Sequence, residues 1–140
     1  MAQEIDLPLL VSAALGKTAV PLYLDRLSGQ LLGIAEVEAQ CGSAVAVQER
    51  YVRVPPVKMR LRLDDARDFA TTLTDPVLRT RFETLLRGPR AAWAFEREIA
   101  RQSMIARAWR AWEYACTLAR MLGWMGRLGL PFPYPDSASE

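Results

Sequence analysis

The sequence predicts one α+β domain, in which an N-terminal helix and a three-stranded antiparallel sheet precede a C-terminal layer of about four helices. Three observations lead to this prediction. Short apolar runs bounded by turn-forming residues occupy the chain up to Val54, a helical three-four spacing dominates after about residue 64, and no polar linker separates the two halves. A chain of 140 residues can bury one core. We therefore expect a single domain over residues 1–140, with a sheet part (1–56), a helical part (57–130) and a tail (131–140).

The first half is predicted to contain one helix and three strands. Apolar residues at a spacing of four predict a short helix over residues 4–15, where Pro8 lies in the first turn and Gly16 ends the helix. Asp25 and Gly29 bound a turn typical of a β-hairpin. The predicted strands lie on either side of this turn and before Pro55-Pro56, at residues 19–24, 30–37 and 44–54. Such a small sheet has one dry face, which a helical layer must cover.

The second half is predicted to be helical. Asp75-Pro76 is a strong start signal, because aspartate caps helix N-termini and proline fits the first helical position. Gly88-Pro89 ends that helix and begins the next one, and Ser103 marks the start of the last and longest helix.

The segment 57–63 is compatible with two structures. Its apolar and basic residues alternate as in a half-buried strand, yet Met59 and Leu63 also begin a helical spacing that continues to Leu73. We expect a helix from about residue 64, capped by Asp64 or Asp65, and leave 57–63 open between strand and helix.

The composition argues against most enzyme chemistry. The chain has no histidine, which excludes imidazole proton transfer, histidine-activated nucleophiles and imidazole metal sites. Gly16-Lys17-Thr18 resembles the end of a phosphate-binding loop, but Val11 stands where that loop needs its first glycine. The neighbouring carboxylates are interpreted as helix caps or solvated side chains, namely Asp64, Asp65, Asp68, Glu96 and Glu98. We predict no catalytic, cofactor-binding or metal-binding residues.

Signals for export or membrane insertion are weak. The apolar stretches at 7–15 and 111–126 are too short or too charged to span a bilayer, and Glu4 and Asp6 stand where a signal peptide needs positive charge. The two cysteines lie far apart and predict neither a disulfide framework nor a metal site. We expect a cytoplasmic protein without a membrane partner.

Charge is distributed unevenly along the chain, although the net charge is only +2. Residues 1–49 hold two bases and six acids, whereas residues 50–127 hold sixteen bases and eight acids. Arginines interleaved with an aromatic residue can hold the phosphates and stack the bases of a single strand. The alternative is a solvated basic face on an edge strand. The predicted nucleic-acid contacts are Arg50, Tyr51, Arg53, Lys58, Arg60 and Arg62.

The last helix is rich in aromatic and sulfur-containing side chains. From Tyr114 to Gly126 its apolar residues run nearly all round, as in a core helix buried on more than one side. A second interpretation is that a surplus face binds another copy of the chain or a different protein, because tryptophan and methionine are enriched at interfaces. The predicted interface residues are Trp112, Met121, Trp124 and Met125.

These patterns favour a non-catalytic interaction or regulatory module that self-associates or binds a protein partner through its last helix. A nucleic-acid-binding protein is the alternative function. An enzyme of unrecognised type is the third.

Five short segments occur in a fixed order along the chain: YLDRLSGQ (23–30), ERYVRVPP (49–56), DDARDF (64–69), TDPVLRTRF (74–82) and LLRG (85–88). Together they resemble a bacterial uncharacterised protein family with a "YLD-x-x-TG" hairpin, a "RY-x-x-(I/V)PP" strand and a helical half built around "DP-x-LR" and "LRG". The resemblance covers about residues 18–130 and implies a helix after Pro55-Pro56. The chain departs from the family after LRG, where PRAAWAFE replaces a "GAFRRFK"-like segment. The resemblance implies no activity.

Overall fold

A computed structural model describes residues 4–41 and 50–130 of the chain. It confirms the predicted α+β class and the predicted order of an N-terminal helix, three antiparallel strands and a helical half. In chain order the elements are α1 (Leu7–Ala14), β1 (Leu22–Asp25), β2 (Leu31–Gly33), α2 (Ile34–Cys41), β3 (Tyr51–Arg53), α3 (Met59–Ala70), α4 (Pro76–Arg87), α5 (Ala91–Ala100) and α6 (Ser103–Arg127).

The chain divides into two compact units. The first comprises Met1–Pro56 and Leu118–Glu140, and the second comprises Val57–Thr117. The division after Pro56 falls where the strands give way to helices. Residues 103–117 of helix α6 belong to the second unit, and residues 118–127 belong to the first unit.

The sheet of the first unit has the order β2-β1-β3, with β1 in the centre and both neighbours antiparallel to it. Tyr23 lies opposite Leu32 on one side and opposite Arg53 on the other. The strands are shorter than predicted. Residues 44–49 of the predicted third strand lie outside the described residues.

The predicted second strand is wrong beyond Gly33, because the chain turns into α2 at Ile34. The carboxylate of Glu36 accepts a hydrogen bond from the Gly33 backbone N–H at 3.0 Å. A glutamate three residues after the capping position forms the same bond in a capping box. The residues that follow Ile34 include good helix formers such as alanine, glutamate and glutamine, so local preference also supports the helix.

The β1–β2 turn is built around the buried carboxylate of Asp25, of which only 1% is exposed. The carboxylate accepts hydrogen bonds from the Leu27 N–H at 2.9 Å and from the Ser28 hydroxyl at 2.7 Å. Arg50 donates two further bonds, both of 2.8 Å, from Nε and Nη2. Burial alone would raise the pKa of Asp25, but the hydrogen bonds from Arg50, Ser28 and Leu27 outweigh burial and hold the pKa well below its usual range. Gly29 closes the turn at a φ of +81°, where a side chain would be strained.

The second unit begins with α3, which settles the segment 57–63. Helix α3 starts at Met59, so the predicted start at residue 64 is wrong. Neither Asp64 nor Asp65 caps it. The residue at the N-cap is Lys58, which makes no side-chain capping bond, whereas Asp64 pairs with Arg67 at 3.1 Å and Asp65 is buried inside the helix layer. The alternating pattern of 57–63 is thus the amphipathic first half of a helix.

Four aromatic rings connect the four helices of the second unit. Phe82 of α4 packs on Phe95 of α5 with 5.6 Å between ring centroids, and Phe95 packs on Trp109 of α6 at 4.9 Å. Trp109 in turn lies 5.5 Å from Phe69 of α3. The tilted and edge-to-face geometries are those that aromatic pairs prefer. All four rings are buried, so these aromatic residues form the centre of the hydrophobic core of the second unit.

The start of α4 agrees with its prediction, because Asp75 accepts hydrogen bonds from the N–H groups of Val77 and Leu78 and Pro76 occupies the first position. Replacing Asp75 by alanine should lower the free energy of unfolding by about 1 kcal/mol. Asp75→Asn, which keeps a capping oxygen, should lower it by much less. Thermal denaturation followed by circular dichroism measures both changes, and an equal loss in the two variants would contradict the capping role.

Asp25→Asn should destabilise the first unit by about 2–3 kcal/mol at pH 7, because it removes the negative charge beside a guanidinium held by two hydrogen bonds. The ionised carboxylate stabilises the fold above its unfolded pKa of about 4, and this stabilisation is lost as the pH falls further. The unfolding free energy of the natural chain should therefore drop below about pH 4 more steeply than that of the variant. Urea denaturation across this range tests the difference, with Asp68→Asn at an exposed helix position as the control.

Candidate functional site

The predicted nucleic-acid residues do not form one aromatic and basic surface on the sheet. Arg50 is engaged by Asp25, and its guanidinium lies 5.2 Å from the centroid of the Tyr51 ring. Tyr51 is only 2% exposed, packs with Leu32 and Val37, and donates its hydroxyl hydrogen to Gln40 at 2.9 Å. A ring buried in this way cannot stack on a base. Arg50 instead pairs with Asp25 at the end of β1, and Tyr51 belongs to the core of the first unit.

The other four bases of the predicted group have different surroundings. Arg53 is exposed at the end of β3, and Lys58 and Arg60 are exposed at the start of α3. Arg62 is half-buried and pairs with Glu113 at 3.4 Å. Arg53 belongs to the first unit and the other three belong to the second unit.

The predicted interface on α6 is corrected for its two methionines. Met121 is 4% exposed and Met125 is fully buried, so neither offers a surface to a partner. The apolar residues on this part of α6 are therefore those of a core helix. Trp124 is half-buried. Trp112 is also half-buried, and its indole N–H donates to the Asp65 carbonyl at 3.1 Å while its ring packs on Phe69.

A cleft in the second unit lies between α3, α5 and α6. It has a volume of about 90 Å³. Such a volume accommodates one aliphatic side chain, whereas sites for whole small molecules are several times larger. Its lining is mainly apolar, with one acid and one base, and consists of Met59, Arg62, Leu63, Ala66, Ala92, Phe95, Glu96 and Trp109.

Trp109 is the most unusual residue of this lining. Only 2% of its surface is exposed, and its indole Nε1–H has no hydrogen-bond acceptor among the described residues. An unsatisfied buried donor costs about 1–3 kcal/mol, and native proteins contain few of them. Trp112, one turn further along α6, satisfies its own indole N–H within the fold. The N–H of Trp109 and the hydroxyl of Thr117 are the buried side-chain groups that find no partner among the described residues.

Two ion pairs that share Arg110 and one that includes Arg62 form a polar network beside the cleft. Glu113, 3% exposed, pairs with Arg62 at 3.4 Å and with Arg110 at 3.3 Å. Arg110 also pairs with Glu96 at 2.9 Å. The hydrogen bonds to Glu96 outweigh partial burial and raise the pKa of Arg110 above its ordinary value. The network contains two bases and two acids, so it presents balanced donors and acceptors and no strong field of one sign.

The ionisable residues in the cleft lining, Arg62 and Glu96, are both engaged in ion pairs or hydrogen bonds. Among the described residues, no three His, Cys, Asp or Glu side chains form a group that could hold a metal ion. The interpretation of Glu98 as a solvated side chain is wrong, because α5 faces inward at this position and Glu98 is buried and pairs with Arg81 at 3.6 Å.

The sequence did not reveal the cleft because three separate helices form it. Trp109 lies on the buried side of α6, but its missing acceptor is apparent only in three dimensions. One signal was present. Ala66 and Ala92 occupy apolar positions of their helices with small side chains, and small residues on facing helices leave space between larger neighbours.

Over the described ranges 4–41 and 50–130, no helix is long and apolar enough to cross a bilayer. Comparison of the chain with models of known families, with curated proteins and with solved structures finds no match.

Proposed function

We propose that the chain is a non-catalytic protein-interaction module whose second unit accepts one apolar side chain of a partner protein in the cleft between α3, α5 and α6. The buried, unpaired indole N–H of Trp109 is the observation that carries this proposal. The proposal keeps the expected class of function. It moves the contact on α6 to Trp109 from the predicted interface residues Trp112, Met121, Trp124 and Met125.

The shape and chemistry of the cleft favour a peptide segment as the occupant. Its volume of about 90 Å³ suits a leucine, isoleucine or methionine side chain. Atom Nε1 of Trp109 has almost no accessible surface in the free chain, so the cleft lining must move before a backbone carbonyl next to that side chain accepts its N–H and removes the cost of leaving it unpaired. Arg62 and Glu96 also line the cleft, and each is held in an ion pair within the fold. One anchored side chain with few polar contacts is typical of a weak, transient interface.

We also propose that the chain belongs to the bacterial family that its motifs resemble. The hairpin motif supplies Asp25 and the strand motif supplies Arg50, and these two residues are partners in the structure. The "DP" motif supplies the cap of α4. The pairing supports the resemblance because residues from two separate motifs bind each other in the folded chain.

The interaction is testable with peptides selected on the full chain from a random displayed library. Each selected peptide should depend on one apolar residue, so that replacing this residue by glycine removes binding. Ala92→Leu replaces a methyl group of the cleft lining by an isobutyl group and should lower the affinity at least tenfold. Ala100→Leu, the same change at an exposed position of α5, should leave the affinity unchanged.

Trp109→Phe provides a second variant, which retains an aromatic ring but removes the donor. It should lower peptide affinity about threefold to tenfold, the effect of losing one hydrogen bond. Circular dichroism checks that each variant is folded. Peptides that bind the natural chain, Ala92→Leu and Trp109→Phe equally well would contradict the proposal. Analytical ultracentrifugation of the natural chain distinguishes a second copy from a different protein as the partner.

A further inference from the structure

One face of α5 is basic and carries an exposed tryptophan. Trp93 is 55% exposed, and the guanidinium of Arg97 lies 5.1 Å from its ring centroid. Arg90 immediately precedes the helix and Arg101 immediately follows it, and both are exposed. Helical geometry places residues 90, 97 and 101 in one narrow sector with Trp93 at its edge. We call these four residues the α5 basic face.

The acids of α5 do not neutralise this face. The carboxylate of Glu96 pairs with Arg110 at 2.9 Å. Glu98 is buried and pairs with Arg81 at 3.6 Å. In the part of the chain that the structure describes, no ion pair involves Arg90, Arg97 or Arg101. Three unneutralised guanidinium groups beside one exposed aromatic ring therefore attract an anion that can also stack.

The backbone supports the same conclusion independently. Arg90 has φ of +55° and ψ of 38°, and it is the one non-glycine residue with positive φ among the described residues. This left-handed conformation is unfavourable for a residue with a side chain and is ordinarily occupied by glycine or asparagine. Strained residues cluster at functional sites, where the side chain is needed despite the strain. The residue in this strained conformation is an arginine, and it lies at the start of the α5 basic face.

The spacing along the helix suits a nucleic-acid strand. Arg97 and Arg101 are about 6 Å apart along the axis, and Arg90 and Arg97 are about 10 Å apart, with Trp93 between them. One and two helical turns are comparable to the separations of neighbouring and next-neighbouring phosphates in an extended strand. Guanidinium groups bind phosphates with paired hydrogen bonds, and tryptophan stacks on any base. An acidic peptide would satisfy the arginines, but its charges are not each accompanied by an aromatic ring, as the phosphates of a nucleic-acid strand are.

We propose that the α5 basic face, formed by Arg90, Trp93, Arg97 and Arg101, binds single-stranded nucleic acid, with one base stacked on Trp93 and the phosphates held by the arginines. This site differs from the predicted contacts at residues 50–62, where the tyrosine is buried. It is also distinct from the cleft lining, so the two proposals stand or fall separately.

Fluorescence anisotropy of a labelled twelve-nucleotide single strand with the full chain tests the site. We expect binding that weakens between about 50 and 200 mM salt, because phosphate contacts release counterions. Trp93→Ala should lower the affinity roughly tenfold, as expected for the loss of one stacked base. Arg97→Gln should lower both the affinity and the salt dependence. Arg60→Gln is the matched control, since it removes an exposed base from α3 and should have no effect beyond its small change in net charge.

Arg90→Gly separates binding from folding. It relieves the left-handed strain, so the melting temperature should stay the same or rise while the affinity for the strand falls. Absence of binding to the natural chain at tens of micromolar would overturn the proposal. Equal losses in Trp93→Ala, Arg97→Gln and Arg60→Gln would also overturn it, as this would indicate diffuse attraction. A polyglutamate peptide that displaces the strand at equal charge concentration would assign the face to acidic proteins instead.

Discussion

The packing of Phe82, Phe95, Trp109 and Phe69 is the interaction on which the second unit depends. These rings join α4, α5, α6 and α3 in one continuous set of contacts with centroid distances of 4.9–5.6 Å. Edge-to-face and tilted contacts fix the angles between large rings but leave space where small residues face one another. The cleft lies at such a place, beside Ala66 and Ala92. The same packing that stabilises the core buries the Trp109 indole without giving its N–H an acceptor.

Arginine supports the fold by neutralising buried carboxylates. In the first unit Arg50 holds Asp25 with two hydrogen bonds, and in the second unit Arg62 and Arg110 hold Glu113. The planar fork of a guanidinium suits a carboxylate better than a lysine ammonium does, which is consistent with a chain that has only two lysines among its eighteen bases. The arginines of the α5 basic face differ, because no carboxylate partner accompanies them within the described residues. A local count of bases could not separate these two roles.

Local signals predicted those parts of the fold that local chemistry decides. Asp75-Pro76 marks a helix start because its capping oxygen and fixed φ act on neighbouring residues. The Asp25–Gly29 turn was also predictable, although the partner of Asp25 is twenty-five residues away. Errors arose where the same pattern fits two environments. The apolar run through Gly33 continues into α2 because Glu36 caps that helix. Met121 and Met125 of α6 face a core that no sequence spacing could distinguish from an interface. The cleft was missed because it depends on three helices.

The central claim is that the Trp109 N–H awaits an acceptor carried by an apolar ligand, and the indole N–H resonances of the full chain report on it directly. Titration with N-acetyl-leucinamide, which combines an isobutyl group with two carbonyl acceptors, should shift the Trp109 resonance, assigned by its absence in Trp109→Phe. N-acetyl-glycinamide should not shift it, and Ala92→Leu should abolish the shift. A Trp109 resonance that stays unchanged at millimolar leucinamide, or moves equally in Ala92→Leu, would contradict the claim.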